Sequence, residues 1–294
     1  MTTPVSLESI EEAESRGAAG LPDSADLHFF DLHTHSNFSD GIPSIYKIED
    51  RCLSDGLSIS LTDHNEIRGS VLLCGRDRIS CIPGVEVGTR EGLEFLVYFG
   101  CPGQLEDYYR EAVEPHLFSR FMVRSRIPSL ECLEIARGMG AYISLAHPFA
   151  FGRKSLEFQR ASRKTNHSFV DDVLEQVDAI ELFNGGVPDK VNQRAASFLN
   201  GIQKPVTVGS DSHRLKTYGS CGVYLKGDHP TDSTDCGALF GTLSSSPTHN
   251  TAMASGSISL TLPVIMLKHT LFFVRAGNHP QRREKLHESK MNGK

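Results

Sequence analysis

The sequence lacks the features of several protein classes. Its seven cysteines are scattered, odd in number and without a Cys-X-X-Cys pair, which argues against a disulfide framework or a thiolate zinc site and for a reducing compartment. Residues 1–20 are acidic and lack the basic start and long apolar run of a signal peptide. Residues 258–274 are largely apolar, but Pro263 and Lys268 interrupt them, so we expect no membrane-spanning helix. These absences predict a cytoplasmic protein.

The chain also lacks an excess of positive charge. Its 294 residues carry 30 Lys and Arg against 36 Asp and Glu, which gives a formal net charge of −6. A dedicated duplex-DNA-binding protein has a broad basic surface, and this composition argues against one. A small local pocket for one phosphate is compatible with it.

Strand-like and helix-like segments alternate along most of the chain. Residues 57–62 alternate apolar and polar side chains, as a half-buried strand does. Residues 79–87 and 93–99 predict two strands joined by a hairpin turn. We expect further strands at 28–33, 142–146, 179–183, 206–208 and 221–225, and helices at 42–53, 128–138, 170–176 and 189–199. This α/β alternation predicts a largely parallel, TIM-like barrel with active groups at the C-terminal ends of its strands.

The composition divides the chain into three expected regions. Residues 1–27 are polar and predict a loose N-terminal leader, residues 28–227 the barrel, and residues 228–294 an irregular C-terminal extension. The Ser-, Thr- and Gly-rich start of this extension predicts a flexible segment. Its apolar middle predicts one helix, and its last twenty residues, with six Lys or Arg against two Glu, predict a basic solvated tail.

Imidazoles and carboxylates follow several of the predicted strands. His33 and His35 lie two residues apart at a strand end, where both side chains point to one face and can converge on a metal ion. Glu86 falls inside an apolar strand, and a buried carboxylate there needs a cationic partner. The other acids and histidines at strand ends are Asp40, Asp63, His64, His147, Asp211 and His213. Each motif is ambiguous alone, but together these oxygen and imidazole ligands suit Zn, Mn or Fe.

The order and spacing of these motifs resemble the PHP (polymerase and histidinol phosphatase) superfamily. The resemblance covers roughly residues 28–226 and rests on Asp31-Leu32-His33-Thr34-His35, Ser39-Asp40-Gly41, Thr62-Asp63-His64, Gly84-Val85-Glu86, Ala146-His147-Pro148 and Gly209-Ser210-Asp211-Ser212-His213. It implies a distorted (β/α)7 barrel that holds two or three divalent ions (Zn, Mn or Fe, with Mg as an alternative). It also implies hydrolysis of phosphomonoesters or phosphodiesters.

The resemblance assigns the ligands residue by residue. One ion would bind His33, His35, Glu86 and Asp211, a second Asp40, His64 and His213, and a third Glu86 and His147. Members with the full set carry another histidine in the strand after the glutamate. Here Glu94-Phe95-Leu96 is expected to place Phe95 at that position, which leaves the number of ions open.

Clustered divalent cations neutralise phosphate oxygens and lower the pKa of a bound water, so the predicted nucleophile is a metal-bound hydroxide. We assign Asp63, His64 and His213 to catalysis, with Asp63 orienting His64. A structural hydrogen bond of Asp63 to the backbone is the open alternative.

The substrate phosphate is expected to bind Arg or Lys in the loops beside the strand ends, which include Lys154. Arg153 is preferred and Arg90 is a second candidate, while a solvated surface charge is the alternative for each. Asn184 resembles a family position that faces the pocket, and a turn-forming Asn-Gly pair is its alternative.

The predicted function is therefore that of a metal-dependent phosphoesterase acting on a small phosphomonoester or on a nucleotide or oligonucleotide phosphoester. An amidohydrolase-like metal hydrolase is the runner-up. It would need a strand-end lysine, for which Lys226 is the nearest candidate. A catalytically degenerate barrel that serves as a binding module is the alternative from another class. The expected partner is a small phosphorylated substrate or a short nucleic acid, with no membrane; the sequence predicts neither the exact substrate nor the oligomeric state.

Overall fold

The short apolar runs of the sequence form the strands of one mixed sheet. The computed structural model describes residues 27–76, 78–118, 123–162, 164–199, 201–202, 204–226, 240 and 251–253. The strands are β1 (Leu27–Thr34), β2 (Ser58–Leu61), β3 (Cys81–Gly88), β4 (Glu94–Tyr98), β5 (Tyr142–Leu145), β6 (Ala179–Asn184), β7 (Val206–Gly209), β8 (Cys221–Lys226) and β9 (Thr251–Met253). Each strand predicted from the sequence is present, with its ends shifted by a few residues, and β9 is additional.

Seven α-helices occur in the described residues. They are α1 (Ile45–Asp55), α2 (Arg68–Cys74), α3 (Pro102–Tyr108), α4 (Ser129–Gly138), α5 (Leu156–Ala161), α6 (Phe169–Gln176) and α7 (Asp189–Leu199). The four helices of eight or more residues were predicted, whereas α2, α3 and α5 were not. Helices of six or seven residues are too short to show a clear 3.6-residue periodicity.

The strands are arranged as a distorted, nearly closed barrel. Their order is β7-β6-β5-β4-β3-β2-β1-β8-β9. The runs β1-β2-β3 and β5-β6-β7 are parallel, while β4 lies antiparallel between β3 and β5, and β8 is antiparallel to β1. The hairpin predicted between β3 and β4 is confirmed, as is the α/β barrel.

The barrel approaches closure where the end of β7 meets β1. A parallel bridge joins Thr34 to Ser212, and the His35 amide donates to the Ser212 carbonyl at 2.9 Å. The Ser210 amide donates to Asp31 Oδ1 at 2.8 Å. Gly209 permits this approach, because an added Cβ there would lie 2.3 Å from the His33 Cβ. The residues after β7 are thereby held beside those at the end of β1.

The two larger of the four apolar clusters in the described residues form layers on opposite faces of the sheet. The larger layer packs the helices against side chains such as Val85 and Val87. The other contains Leu96, which pairs with Glu86 and therefore shares its face of the sheet. Phe240 joins this second layer and stacks on Tyr142 with 4.2 Å between ring centroids. One residue of the predicted C-terminal extension is thus part of the barrel core.

The remaining regional predictions fall mostly outside the described residues. Residues 1–26, 227–239, 241–250 and 254–294 are not described. The leader, the flexible segment, the C-terminal helix and the basic tail therefore stay predictions. Among the described helices, none combines the length and apolarity needed to cross a membrane.

The contact at Gly209 predicts a stability effect. A Cβ in Gly209→Ala would also lie 2.7 Å from the His33 amide nitrogen, so β7 and β1 would have to separate. We expect the free energy of unfolding to fall by about 1–3 kcal/mol, measured by urea denaturation. The control is Gly103→Ala in α3, where a Cβ meets nothing within 4 Å. That variant should be neutral or slightly stabilised. Equal stability of the two variants would contradict the proposed closure contact.

Candidate metal centre

The ends of β1, β3 and β7 bring together the first predicted set of ligands. His33 Nε2 and His35 Nε2 lie 3.3 and 3.4 Å from Glu86 Oε2. Asp211 Oδ1 lies 3.1 Å from His35 Nε2 and 3.8 Å from His33 Nε2. Ligand atoms that share one tetrahedral ion at bonds of about 2.1 Å lie about 3.4 Å apart. The observed spacing therefore suits a single cation.

The second predicted set lies beside the first. Asp40 Oδ1 is 3.0 Å from His213 Nε2, and Asp40 Oδ2 is 3.7 Å from His64 Nε2. The His35 ring stacks on the His213 ring at 4.4 Å and lies 4.7 Å from the His64 ring, so His35 contacts the second set as well as the first. Asp40, His64 and His213, together with His35, form a group whose ligand atoms can hold a metal ion.

The third set contains a carboxylate that the sequence reasoning misplaced. His147 Nε2 lies 3.0 Å from Glu86 Oε1 and 3.1 Å from Glu94 Oε2. Leu96 pairs with Glu86 across the hairpin, so Glu94, two residues earlier, shares the face of Glu86. Phe95 points the other way into the core that packs against the helices. The expectation that Phe95 lines the centre is therefore wrong, and Glu94 is the residue there.

The chemistry of the donor atoms fits divalent cations. Several buried atoms have no hydrogen-bond partner among the described residues: His33 Nε2, His35 Nδ1, His35 Nε2, Glu86 Oε2 and Glu94 Oε1. A buried polar atom left without a partner is costly, and such atoms are uncommon in native proteins. Because these atoms are imidazole nitrogens and carboxylate oxygens directed at one another, a bound cation of the Zn, Mn or Fe type would satisfy them.

Glu181 on β6 orients His33, and the sequence reasoning missed it. Glu181 Oε1 lies 2.9 Å from His33 Nδ1, while Oε2 accepts hydrogen bonds from the His147 amide at 2.8 Å and from Asn184 Nδ2 at 3.0 Å. A proton on His33 Nδ1 leaves the Nε2 lone pair available to a cation. The available signal was an acid within an apolar strand, the same signal that identified Glu86.

The buried charges of the centre stabilise one another. Burial opposes ionisation of Glu86 and Asp211, yet the surrounding imidazoles hold the pKa of both carboxyls well below its usual range. Burial opposes protonation of His33, but Glu181 and Glu86 raise its pKa well above the usual value. Burial and the neighbouring imidazoles lower the pKa of His35 to about 4. Without metal, protons on buried histidines such as His33 supply the positive charge that a bound cation would supply. Metal binding is therefore expected to release protons.

Asp63 and Asp31 hold loops. Asp63 accepts hydrogen bonds from the Ser36 amide at 2.7 Å and the Ser36 hydroxyl at 2.6 Å, which fixes the loop after β1. Asp31 accepts equivalent bonds from Ser210 at 2.8 and 2.5 Å, which fixes the loop after β7. Burial raises the pKa of both carboxyls to about 6. These contacts favour the structural alternative for Asp63, and its predicted action on His64 stays a prediction.

Backbone strain is concentrated at the centre. Among the described residues, the non-glycine residues with positive φ are Asn65 (47°), His147 (27°) and Asp211 (49°). Two of these are predicted ligands and the third follows His64. L-residues seldom adopt this region, and such conformations cluster at functional sites.

The predicted arginines meet at the β3–β4 turn, where Arg90 lies and to which Arg153 bonds from the loop after β5. Arg153 donates to the Glu91 carbonyl at 2.9 Å and to the Arg90 carbonyl at 3.0 Å, so it ties the loop after β5 to this turn. The exposed Arg90 side chain donates to Glu91 Oε1 at 3.1 and 3.0 Å. The structure does not bring these guanidinium groups to the ligand sets, and their binding of substrate stays a prediction.

Asn184 and Lys154 differ from the arginines. Asn184 is buried beside Glu181 and His33, and its Oδ1 accepts a hydrogen bond from the Gly186 amide at 2.8 Å, so it supports the centre from behind. Lys154 Nζ lies 2.5 Å from Glu94 Oε2. Of the loop cations considered from the sequence, Lys154 is thus one that reaches a ligand set.

Known proteins share this fold. No protein-family model matches the chain. An uncharacterized protein of Methanocaldococcus jannaschii is 25% identical over 198 residues, which cover 67% of this chain and 69% of that protein. The lesion-specific endonuclease PfuEndoQ of Pyrococcus furiosus is 18% identical, with a TM-score of 0.56, over 73% of this chain and 56% of that chain. The chain thus spans little more than half of the endonuclease.

Two further solved structures match more of their own length. PsfC of Pseudomonas syringae is 16% identical, with a TM-score of 0.54, over 84% of this chain and 98% of that chain. A two-domain Bacteroides vulgatus protein containing a predicted PHP-like metal-dependent phosphoesterase is 18% identical, with a TM-score of 0.50, over 85% of this chain and 71% of that chain. The chain shares its fold with these structures, one of which contains a predicted PHP-like metal-dependent phosphoesterase, as the order of its motifs predicted.

The contacts of Glu181 predict an effect on metal affinity. All three polar contacts of Glu181 come from groups that can donate, so the amide of Glu181→Gln would turn donor hydrogens toward other donors. His33 would lose its fixed tautomer, and we expect metal affinity to fall about 10- to 100-fold, measured by competition with a chelator. Glu175→Gln, an exposed position on α6, is the control and should bind metal normally. Unchanged affinity in Glu181→Gln would remove the orienting role.

Proposed function

We propose that this chain is a metal-dependent phosphoesterase that hydrolyses a small phosphomonoester or a nucleotide or oligonucleotide phosphoester. One observation carries the proposal: buried imidazole and carboxylate atoms without hydrogen-bond partners converge from the ends of several strands. Clusters of this composition bind divalent cations. A reducing compartment such as the cytoplasm stays a prediction from the cysteine pattern.

The negative charge of its carboxylates explains why this centre would need bound cations to accept a phosphate ester. Asp40, Glu86, Glu94 and Asp211 would repel an anionic phosphate if the centre held no cation. Bound divalent ions would neutralise the phosphate oxygens and supply an activated water. His33, His35, Glu86 and Asp211 would hold one ion, and Asp40, His64 and His213 another.

The chain's own residues orient these ligands. His213 Nδ1 lies 2.8 Å from the Asp211 carbonyl, which directs the His213 Nε2 lone pair toward Asp40. Glu181 does the same for His33. Outer hydrogen bonds of this kind fix tautomers and ring orientation in metal sites. We therefore propose that His64 and His213 act by holding an ion and orienting the reacting water.

The similar proteins support a phosphoester substrate. One contains a predicted PHP-like metal-dependent phosphoesterase, and Endonuclease Q has been solved with a 27-mer duplex carrying an abasic lesion. This chain spans only 53% of that endonuclease and has a net charge of −6. Since duplex binding depends on many Lys and Arg contacts to phosphates, we favour a small ester or a short single strand over a duplex.

The amidohydrolase alternative is disfavoured by the position of Lys226. That residue pairs with Leu27 at the start of β1, whereas the histidines lie at the other end of this eight-residue strand. The separation along the strand is roughly 20 Å. A degenerate barrel is disfavoured because several buried ligand atoms would lack hydrogen-bond partners if the centre bound no metal, and such atoms are costly.

The proposal predicts a metal requirement for ester hydrolysis. Protein purified without chelator should contain at least two divalent ions per chain and hydrolyse p-nitrophenyl phosphate or its bis ester with added Mn or Zn. His35→Ala and Asp211→Ala should lower turnover at least about 100-fold, since metal ions supply several kcal/mol to such reactions. His167→Ala, an exposed position, is the control and should keep full activity.

Metal content and hydrolysis answer separate questions. Bound ions without turnover of either ester would contradict phosphoesterase activity and would favour a metal hydrolase that cleaves another class of bond. No bound ion and no turnover with any metal would overturn the enzyme proposal and favour the binding module.

A further inference from the structure

Lys154 is placed in the centre by the loop that carries it. This loop runs from His147 to α5 and is tied to the β3–β4 turn by Arg153, which donates to the Glu91 carbonyl at 2.9 Å. Gln159 Nε2 donates to the Arg153 carbonyl at 2.6 Å and to the Glu91 carbonyl at 2.9 Å. The loop and turn therefore hold one another, and the lysine side chain starts from a fixed backbone.

The lysine ammonium is connected to the metal ligands through a short chain of contacts. Lys154 Nζ lies 2.5 Å from Glu94 Oε2, which lies 3.1 Å from His147 Nε2. His147 Nε2 in turn lies 3.0 Å from Glu86 Oε1. Glu86 belongs to the first set, so Lys154 adds a fixed positive charge beside the ligands of the third set.

The third set therefore already contains a cation. A buried carboxylate needs compensation, and Lys154 provides it for Glu94. A divalent ion bound by Glu94 Oε2 and His147 Nε2 would face the ammonium at close range and would compete with it for that carboxylate oxygen. The first two sets contain no Lys or Arg among their ligand contacts in the described residues.

Lys154 also retains the capacity to bind an anion. An ammonium has three donor hydrogens, and Glu94 is a single ion-pair partner for this one. The Lys154 side chain is 32% exposed, while that of Glu94 is 1% exposed, so the Lys154 side chain extends between the buried ligands and solvent. A phosphate oxygen that approaches the centre from solvent would meet it there.

We propose that Lys154, held by Glu94, takes the place of a third metal ion and binds an anionic oxygen of the substrate phosphate. The inference rests on the proposed function and deepens it. The centre would be dinuclear, with Lys154 as a specificity residue for phosphate. Arg153 is then a positioning residue that fixes the loop.

The test compares Lys154→Met with Lys47→Met, a control at an exposed lysine of α1. Metal content is measured by mass spectrometry, inorganic phosphate affinity by calorimetry on the metal-loaded protein, and kcat and KM with p-nitrophenyl phosphate. We expect two ions per chain in wild type. In Lys154→Met, phosphate affinity should fall about 10- to 100-fold, as for loss of a charge-assisted hydrogen bond. Metal content should not decrease, because the substitution removes no metal ligand and frees Glu94 Oε2 from its ion pair.

Glu94→Gln distinguishes a third metal site from an anchor for Lys154. This test stays informative even if Lys154→Met fails to fold. If Lys154 replaces the third ion, Glu94→Gln keeps two ions and loses phosphate affinity. Three ions in wild type and two in Glu94→Gln would overturn the inference, as would equal phosphate affinity in Lys154→Met and Lys47→Met. Wild-type protein with no metal and no turnover would instead overturn the proposed function and the role of Lys154 with it.

Discussion

Glu86 is a carboxylate buried in the middle of an apolar strand, and the other groups of the centre are arranged around it. Its oxygens lie 3.3, 3.4, 2.8 and 3.0 Å from nitrogens of His33, His35, His64 and His147. A buried carboxylate is tolerated only with compensating charge. This single requirement links three parallel strands and the loop after β5 to one point, and it makes the fold depend on positive charge there.

The barrel supplies the rigidity that this arrangement needs. Asp31 and Asp63 each bind serines of a neighbouring loop, so the loops after β1 and β7 are held by buried carboxylates rather than by metal. Gly209 lets β7 approach β1 closely enough for Asp211 to reach His35. The surrounding contacts hold Asp211 at its positive φ of 49°. The backbone strain at Asp211, the contact between β7 and β1 and the buried charge of the centre therefore depend on one another.

Local patterns predicted the parts of the centre that lie on or directly after strands. His33 and His35 share a face because strand side chains alternate, and Glu86 was identified because an acid in an apolar strand requires a partner. Glu94 was missed because the face of β4 depends on its register against β3, and an error of one residue exchanges it with Phe95. Glu181 was missed because its partner His33 is 148 residues away in sequence. Lys154 and Arg153 are adjacent, and only the folded loop determines which of them reaches the ligands.

We propose that two adjacent divalent ions occupy the centre. Anomalous diffraction from crystals grown with manganese tests it most directly, because each ion gives a peak at its own position. We expect two peaks about 3.5–4 Å apart, as in two-metal phosphoesterases. One peak should lie among His33, His35, Glu86 and Asp211, and the other among Asp40, His64 and His213. A centre without a peak, or with one peak remote from these side chains, would contradict the dinuclear centre.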